Sequence, residues 1–326
     1  MVGPSMLCRR VLLWLLLCLP VPAAAQPAAD PPGVPPALTI GGYVQFDYLA
    51  PPATSPPEHD SFRFRRARLQ LSGGITDSVA WAVSVEGTRT PILRDAFVTF
   101  SYFPAAVVRV GQLMMPYGLE QYTFSSNTLE FTERLLTDLV PARDAGVMVS
   151  NERPFFEWFT YAAAVINGTG QNTPDDNRAK DILLRLTATP PRPGGLAVSA
   201  NIARGDQPPG MRTRQGMDVT FERRAYHLAA EFVREETVGS PPLSGMYILG
   251  AWRVYPSRPR TGFDHVEFAS RFGRNTRRVA NASQLDLAAN YYVHAKMRFM
   301  WNLTIYTDAE PGSGRTGFQA RANVRF

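Results

Sequence analysis

The chain of 326 residues carries its cationic chemistry almost wholly on arginine, since only Lys180 and Lys296 among its 34 basic residues are lysines. A guanidinium is planar, permanently charged and rich in donors, which suits it to oxyanions. The densest cluster is FRFRRARLQL, residues 62–71. A period of two there sets Arg66 and Arg68 on the face opposite Ala67, Leu69 and Leu71, while Arg63 and Arg65 fall nearer the strand end, where their stems can snorkel. Arg109, Arg321 and Arg325 stand on polar faces of other alternating runs, and Arg134 and Arg143 lie in or beside a stretch that does not alternate. Nucleic-acid binding is disfavoured by the split faces and the modest net charge of +6. Pairing of these arginines with acids such as Glu86 and Asp95 is the competing structural reading.

Other chemistry finds little footing. There is no G-x-S-x-G or H-E-x-x-H, and His59, His227, His265 and His294 have no ligand spacing. Both cysteines, Cys8 and Cys18, lie within the first 25 residues. The reading is therefore not an enzyme, with no catalytic residues, no metal and no cofactor.

The elements that must position the arginines follow from patterning. Arg9 and Arg10, the apolar run VLLWLLLCLP and Ala23–Ala25 read as a cleaved secretory signal peptide over residues 1–25, its core too short to span a bilayer comfortably. Its removal lowers the net charge to 32 − 28 = +4. Residues 26–38 are a Pro-rich N-terminal segment. From Thr39 onward short runs alternate apolar with polar between Gly, Pro, Asn, Asp and Ser clusters, and about sixteen such strands can be written out to Phe326. The fold class is all-β. Aromatics near strand ends (Tyr48, Phe62, Tyr102, Trp158, Trp252, Tyr255, Tyr306) and arginines at mid-strand favour a transmembrane antiparallel β-barrel over a soluble sandwich, spanning residues 39–326. An arginine facing lipid near mid-bilayer costs about 2–4 kcal/mol, which sends Arg66 and Arg68 to the lumen.

Between two strand-like pieces at 106–113 and 145–151 lies an insert, about residues 116–144, that breaks the rhythm. Pro116 and Gly118 open it, and Pro141, Arg143 and Asp144 close it. Asn127 three residues before Glu130, with Phe131, Leu135 and Leu139 at steps of four, predicts a short amphipathic helix. A loop of this length in a compact domain is usually functional.

The runs FRFRRARL (62–69), DAFV (95–98), RVGQLMMPYGLE (109–120), FTER (131–134) and PARDAGVMVS (141–150), with NG at 167–168 and the terminal Phe326, resemble the phosphate-selective porin family of Gram-negative outer membranes. The resemblance implies a sixteen-stranded barrel in outer-membrane lipid, usually a homotrimer, whose third loop folds inward as a constriction. That role would fall on the insert, with Pro116, Gly118, Glu120 and Asp144 among its residues. It also implies a water-filled, anion-preferring channel for phosphate and other small anions, lined here by Arg66, Arg68, Arg109, Arg321 and Arg325, with Arg134 and Arg143 at or beside the constriction. Where the family commonly has a lysine before the proline, this chain has Met114 and Met115. Phosphate selection is then missing or rebuilt from arginine, leaving a broader anion or general-solute pore. The alternative is a barrel kept for adhesion or envelope integrity, its lumen plugged by arginine–acid pairs.

Overall fold

Alternation is converted into strands throughout. The structure, a computed structural model, describes residues 38–50, 59–123, 130–151, 158–192, 194–207, 210–258, 261–277, 283–307 and 315–326. The proposed signal peptide and residues 26–37 lie outside this set, as does Asn127. The strands are β1 (Thr39–Ala50), β2 (Ser61–Thr76), β3 (Val79–Glu86), β4 (Leu93–Phe100), β5 (Val107–Met114), β6 (Arg143–Ser150), β7 (Phe159–Ile166) and β8 (Asp181–Ala188). They continue as β9 (Leu196–Gln207), β10 (Gly210–Glu222), β11 (Tyr226–Thr237), β12 (Leu243–Val254), β13 (His265–Asn275), β14 (Ser283–His294), β15 (Met297–Thr307) and β16 (Arg315–Arg325). Each pairs antiparallel with its sequence neighbours, and β1 closes the ring on β16, with Tyr43 opposite Arg325 and Asp47 opposite Arg321. The terminal Phe326 exchanges backbone hydrogen bonds with Gly42 at 3.1 and 3.2 Å, which seals the seam. The result is a closed barrel of sixteen antiparallel strands, without an edge left to template aggregation.

Burial is inverted relative to a soluble protein. On β13, Glu267 and Arg271 are each 1% exposed, whereas Phe268 and Phe272 between and beside them are 50% and 49% exposed. On β11 the same alternation buries Glu231 and Val233 and exposes Phe232. Apolar side chains thus face outward, as a lipid-facing surface requires, and charged ones face inward.

β2 departs from strict alternation. Gln45 pairs with Arg66 but the next residue, Phe46, pairs with Phe64, so Arg65 is the extra residue of a β-bulge. The bulge resets the parity. Arg63 is thereby placed opposite Asp47 on the inner face, and Arg65 reaches Glu133 with Nε–Oε1 2.7 Å and Nη2–Oε2 2.6 Å. The expectation that these two snorkel on the apolar side is therefore corrected: a bulge puts all four arginines of the run on the polar side.

The insert joins β5 to β6 and occupies residues 115–142, so Arg143 and Asp144 belong to β6 and not to the insert. Its described residues include one π-helical turn, Leu119–Thr123. The predicted amphipathic helix is not formed over residues 130–140, which run as bends and turns. The reason lies in where the backbone groups go. Leu135 N–H donates to Glu120 Oε2 at 2.8 Å and Thr132 N–H to Asn302 Oδ1 at 3.0 Å. The carbonyls of Glu130, Thr132, Glu133 and Leu135 accept from Asn290, Arg321, Arg271 and Asn275 at 2.7–3.0 Å. Wall side chains, together with Glu120 of the insert, satisfy donors and acceptors that a helix would have satisfied internally. Phe131, Leu135 and Leu139 are nevertheless buried, in a cluster with Met115, Tyr117, Leu119 and Leu136.

Candidate functional site

The insert is held against one side of the ring by a charge network built from separate strands. Glu120 receives Arg271 Nη1 as well as the Leu135 amide, and Arg271 also bridges Asp286 on β14 through Nη2 at 2.7 Å. The Arg271 guanidinium lies over the Phe131 ring, 4.5 Å from its centroid. Glu231 on β11 takes the amides of Leu119 and Glu120 at 2.8 and 3.2 Å. Gly118, at φ +77°, lets the chain turn into this carboxylate, since a Cβ there would approach Glu231 Oε1 to 2.9 Å. On β12, Gly245 leaves the gap that Leu136 and Leu139 fill, because a Cβ would meet their methyl carbons at 2.5 and 2.7 Å.

Several arginines of the same side are matched to acids. Arg185 is bidentate to Asp218 (2.8 and 2.9 Å), Arg214 meets Glu235 at 2.6 Å, and Arg253 meets Glu267 at 2.8 Å. Arg321 is bidentate to Asp47 (2.7 and 2.9 Å) and caps the Thr132 carbonyl. Pairing with hydrogen bonds on both sides is what permits such groups to be buried.

Across the lumen, β2 to β5 carry a different arrangement. Arg68 meets Glu86 at 3.3 Å and stands over the Tyr43 ring, and Arg143 is bidentate to Asp95 (2.7 and 3.1 Å). Arg66, Arg94 and Arg109 have no carboxylate oxygen within 4.0 Å among the described residues. Arg94 is the bulged residue between the pairs Ser84–Asp95 and Val85–Leu93, and it lies within electrostatic reach of Arg143, Arg68 and Arg66. Arg134, from the insert, donates Nε to the Glu120 carbonyl at 2.5 Å. Burial, and after it the charge of Arg66, pushes the Arg134 guanidinium down to about 10. Glu133 shows the converse. Burial works to raise its carboxyl, but the hydrogen bond and charge of Arg65, helped by Arg321 and Arg66, hold it down at about 2.

A cavity of about 460 Å³ lies on this side, with Arg109, Asp95 and Tyr122 among its polar lining and Phe97, Leu113, Met114 and Met148 among its apolar lining.

Of the residues singled out in the sequence, Arg66, Arg68, Arg134 and Arg143 are brought into one cluster, with Arg109 further along β5. Arg321 stands across the β1–β16 seam on Asp47, and Arg325 is exposed at the end of β16 with its N–H on the Lys296 carbonyl at 2.7 Å. Pro116 and Glu120 are buried in the insert. Asp144 does something else: its carboxylate takes the amides of Ala145, Gly168 and Gly170 at 2.7, 3.0 and 2.9 Å and so pins the loop after β7. Sequence reasoning passed over Arg94, Glu133, Glu231 and Arg271. Arg94 adjoins the DAFV run, the one signal that could have found it.

No curated protein sequence matches the chain. Among solved structures it is similar to an anion-selective porin from Comamonas acidovorans, with TM-score 0.64, 13% identity, and coverage of 90% of this chain and 100% of that one. It is similar also to the outer membrane channel DcaP of Acinetobacter baumannii (TM-score 0.58, 12% identity, 89% and 97% covered). A third is the trimer form of OmpT, an outer membrane protein of Vibrio cholerae (TM-score 0.57, 13% identity, 89% and 99% covered). Identities this low speak for the fold alone. Residues 38–207, just over half of the chain, match the family described as phosphate-selective porin O and P. With the closed sixteen-stranded barrel and its apolar exterior, this places the chain in that family, as an outer-membrane porin.

Proposed function

We propose that the chain is a diffusion channel that prefers anions, passing phosphate together with chloride and small carboxylates, with the insert of residues 115–142 folded inward as its constriction. The observation that carries this reading is the set of arginines without carboxylate partners among the described residues, Arg66, Arg94 and Arg109, on the side of the lumen where the cavity lies. Fixed positive charge in a narrow, partly desolvated passage raises the local anion concentration and repels cations. Contacts of the insert with side chains of β11, β13, β14, β15 and β16, far from its own strands in the ring, support an inward course. Met114 and Met115 in the place of the family's lysine favour a broad anion preference over strong phosphate selection. Export through a cleaved signal peptide over residues 1–25 and assembly as a homotrimer belong to the same reading; the trimeric structural neighbour supports the second.

The dense arginine–acid pairing along β8 to β16 favours a second reading, a plugged barrel with an envelope role. Recording in planar bilayers separates the two. Unitary current steps with anion-selective reversal are expected, and a correctly folded barrel that gives no steps would establish the plugged form.

A further inference from the structure

The open side of the lumen is not uniformly polar. The cavity of about 460 Å³ has Arg109 and Tyr122 among its polar lining and a hydrocarbon and thioether lining of Phe97, Leu113, Met114 and Met148. Its volume falls in the range of about 300–1,000 Å³ typical of sites that enclose small organic ligands. Arg109 makes one long hydrogen bond, Nη1 to Ser150 Oγ at 3.4 Å, and among the described residues meets no carboxylate within 4.0 Å, which leaves N–H groups to offer a solute. Tyr122 lies within reach of the Arg109 charge, and burial raises its hydroxyl above the usual range, so it remains a donor. Asp95, the acid of the cavity, is occupied by Arg143 on both oxygens and by Ser84 Oγ at 2.5 Å.

Inorganic phosphate matches this lining poorly. The Arg109 guanidinium, the Tyr122 hydroxyl and the side chains of Gln70 and Ser72 satisfy part of its acceptors, while oxygens turned toward Phe97, Leu113 and the methionines would lose water without replacement. An organic anion with a charged end and an apolar body matches it on both counts. Met114, standing where a lysine would add a second charge, contributes a deformable apolar surface with an affinity for aromatic rings.

We infer that this cavity is a binding step for amphiphilic organic carboxylates, aromatic monocarboxylates above all, with the carboxylate on Arg109 and the ring against Phe97, Leu113, Met114 and Met148. The inference rests on the porin reading and names the solute class that the same lumen retains longest.

The test is block of single-channel chloride current by benzoate, acetate and phosphate at pH 7, in the wild type, Arg109→Gln, Phe97→Ala and Met114→Lys, each checked for folding by heat-modifiable electrophoretic mobility. Benzoate is expected to interrupt the current at concentrations roughly tenfold or more below acetate. Phe97→Ala should shrink that gap, Arg109→Gln should abolish block by both carboxylates, and Met114→Lys should shift preference toward phosphate. Benzoate and acetate blocking alike, or phosphate blocking best in the wild type, overturns the assignment and leaves the anion-preferring pore standing. Absent or cation-selective current overturns the pore reading instead. Benzoate binding is then read by calorimetry on the detergent-solubilised protein, where saturable heat lost in Arg109→Gln supports the site and no heat at millimolar benzoate removes it.

Discussion

The two sides of this lumen use the same residue for opposite ends. Along β8 to β16, Arg185, Arg214, Arg253, Arg271 and Arg321 each grip a carboxylate, and the insert is bolted to that side through Glu120, Glu231 and the backbone of residues 130–135. Along β2 to β5, Arg66, Arg94 and Arg109 meet no carboxylate among the described residues, and Arg109 lines the open cavity. A matched arginine is a structural tie whose field is largely cancelled at a distance. An unmatched one leaves its field in the passage. The difference teaches that counting arginines says little about selectivity until their acids are located.

The sharpest way to break the comparison is Arg271→Ala. It leaves Glu120 and Asp286 buried without their shared cation and removes the ring contact to Phe131, a loss of about 3–5 kcal/mol by analogy with broken buried pairs. Denaturant unfolding of the purified barrel should register it, whereas Arg66→Ala should leave stability unchanged within about 0.5 kcal/mol. Equal stability of the two variants would erase the distinction between the sides.

Steric pressure sharpens the same point at smaller cost. Gly245→Val pushes against Leu136 and Leu139 and should destabilise by about 1–3 kcal/mol. Because the two closest contacts are with the insert and only the looser one, 3.2 Å, is with the Arg274 carbonyl of β13, single-channel conductance should rise as the insert loosens. Unchanged conductance in a folded variant would show that the insert does not set the pore's width.

The smallest effect concerns Glu133, which ties the insert to Arg65 and whose side chain is 41% exposed, so solvent screening keeps the tie weak. Its folded value, about 2, lies below the ordinary 4.5, so its contribution is fully present above pH 4.5 and fades as pH falls toward 2. The stability difference between wild type and Glu133→Gln should therefore be constant from pH 7 to about pH 5 and vanish near pH 2. A difference that persists at pH 2 would assign it to packing instead.

Sixteen strands were legible because the alternation that sends Phe268 and Phe272 to lipid and Glu267 and Arg271 to the lumen is written in the order of residues. The helix expected over residues 127–139 was a misreading of a true signal. Phe131, Leu135 and Leu139 at steps of four do report a shared buried environment, but side-chain spacing does not say that Asn290, Asn302, Asn275 and Arg321 will claim the backbone. Bulges at Arg65 and Arg94 have no compositional signature, so a strict period of two put Arg63 and Arg65 on the wrong face and gave no reason to single out Arg94. Arg143 and Asp144 read as part of the insert because they follow Pro141, yet their backbones already pair with Met114 and Leu113. Which arginines have acids within reach depends on contacts across the barrel, such as Arg271 with Glu120, 151 residues apart, and no local pattern encodes them.

In the reading proposed, the arginines of β2, β4 and β5 that lack a carboxylate partner among the described residues set the sign of the field in the passage. The reversal potential of single channels in a KCl gradient tests it most directly, in the wild type and in Arg66→Gln combined with Arg109→Gln. The wild type should reverse near the chloride potential at low salt and lose part of that preference at 1 M, where the screening length is about 3 Å. The preference should persist to alkaline pH, since arginine stays protonated. The double variant should shift markedly toward zero with its fold intact. A cation-selective wild type, or a double variant with unchanged reversal potential, would contradict the account.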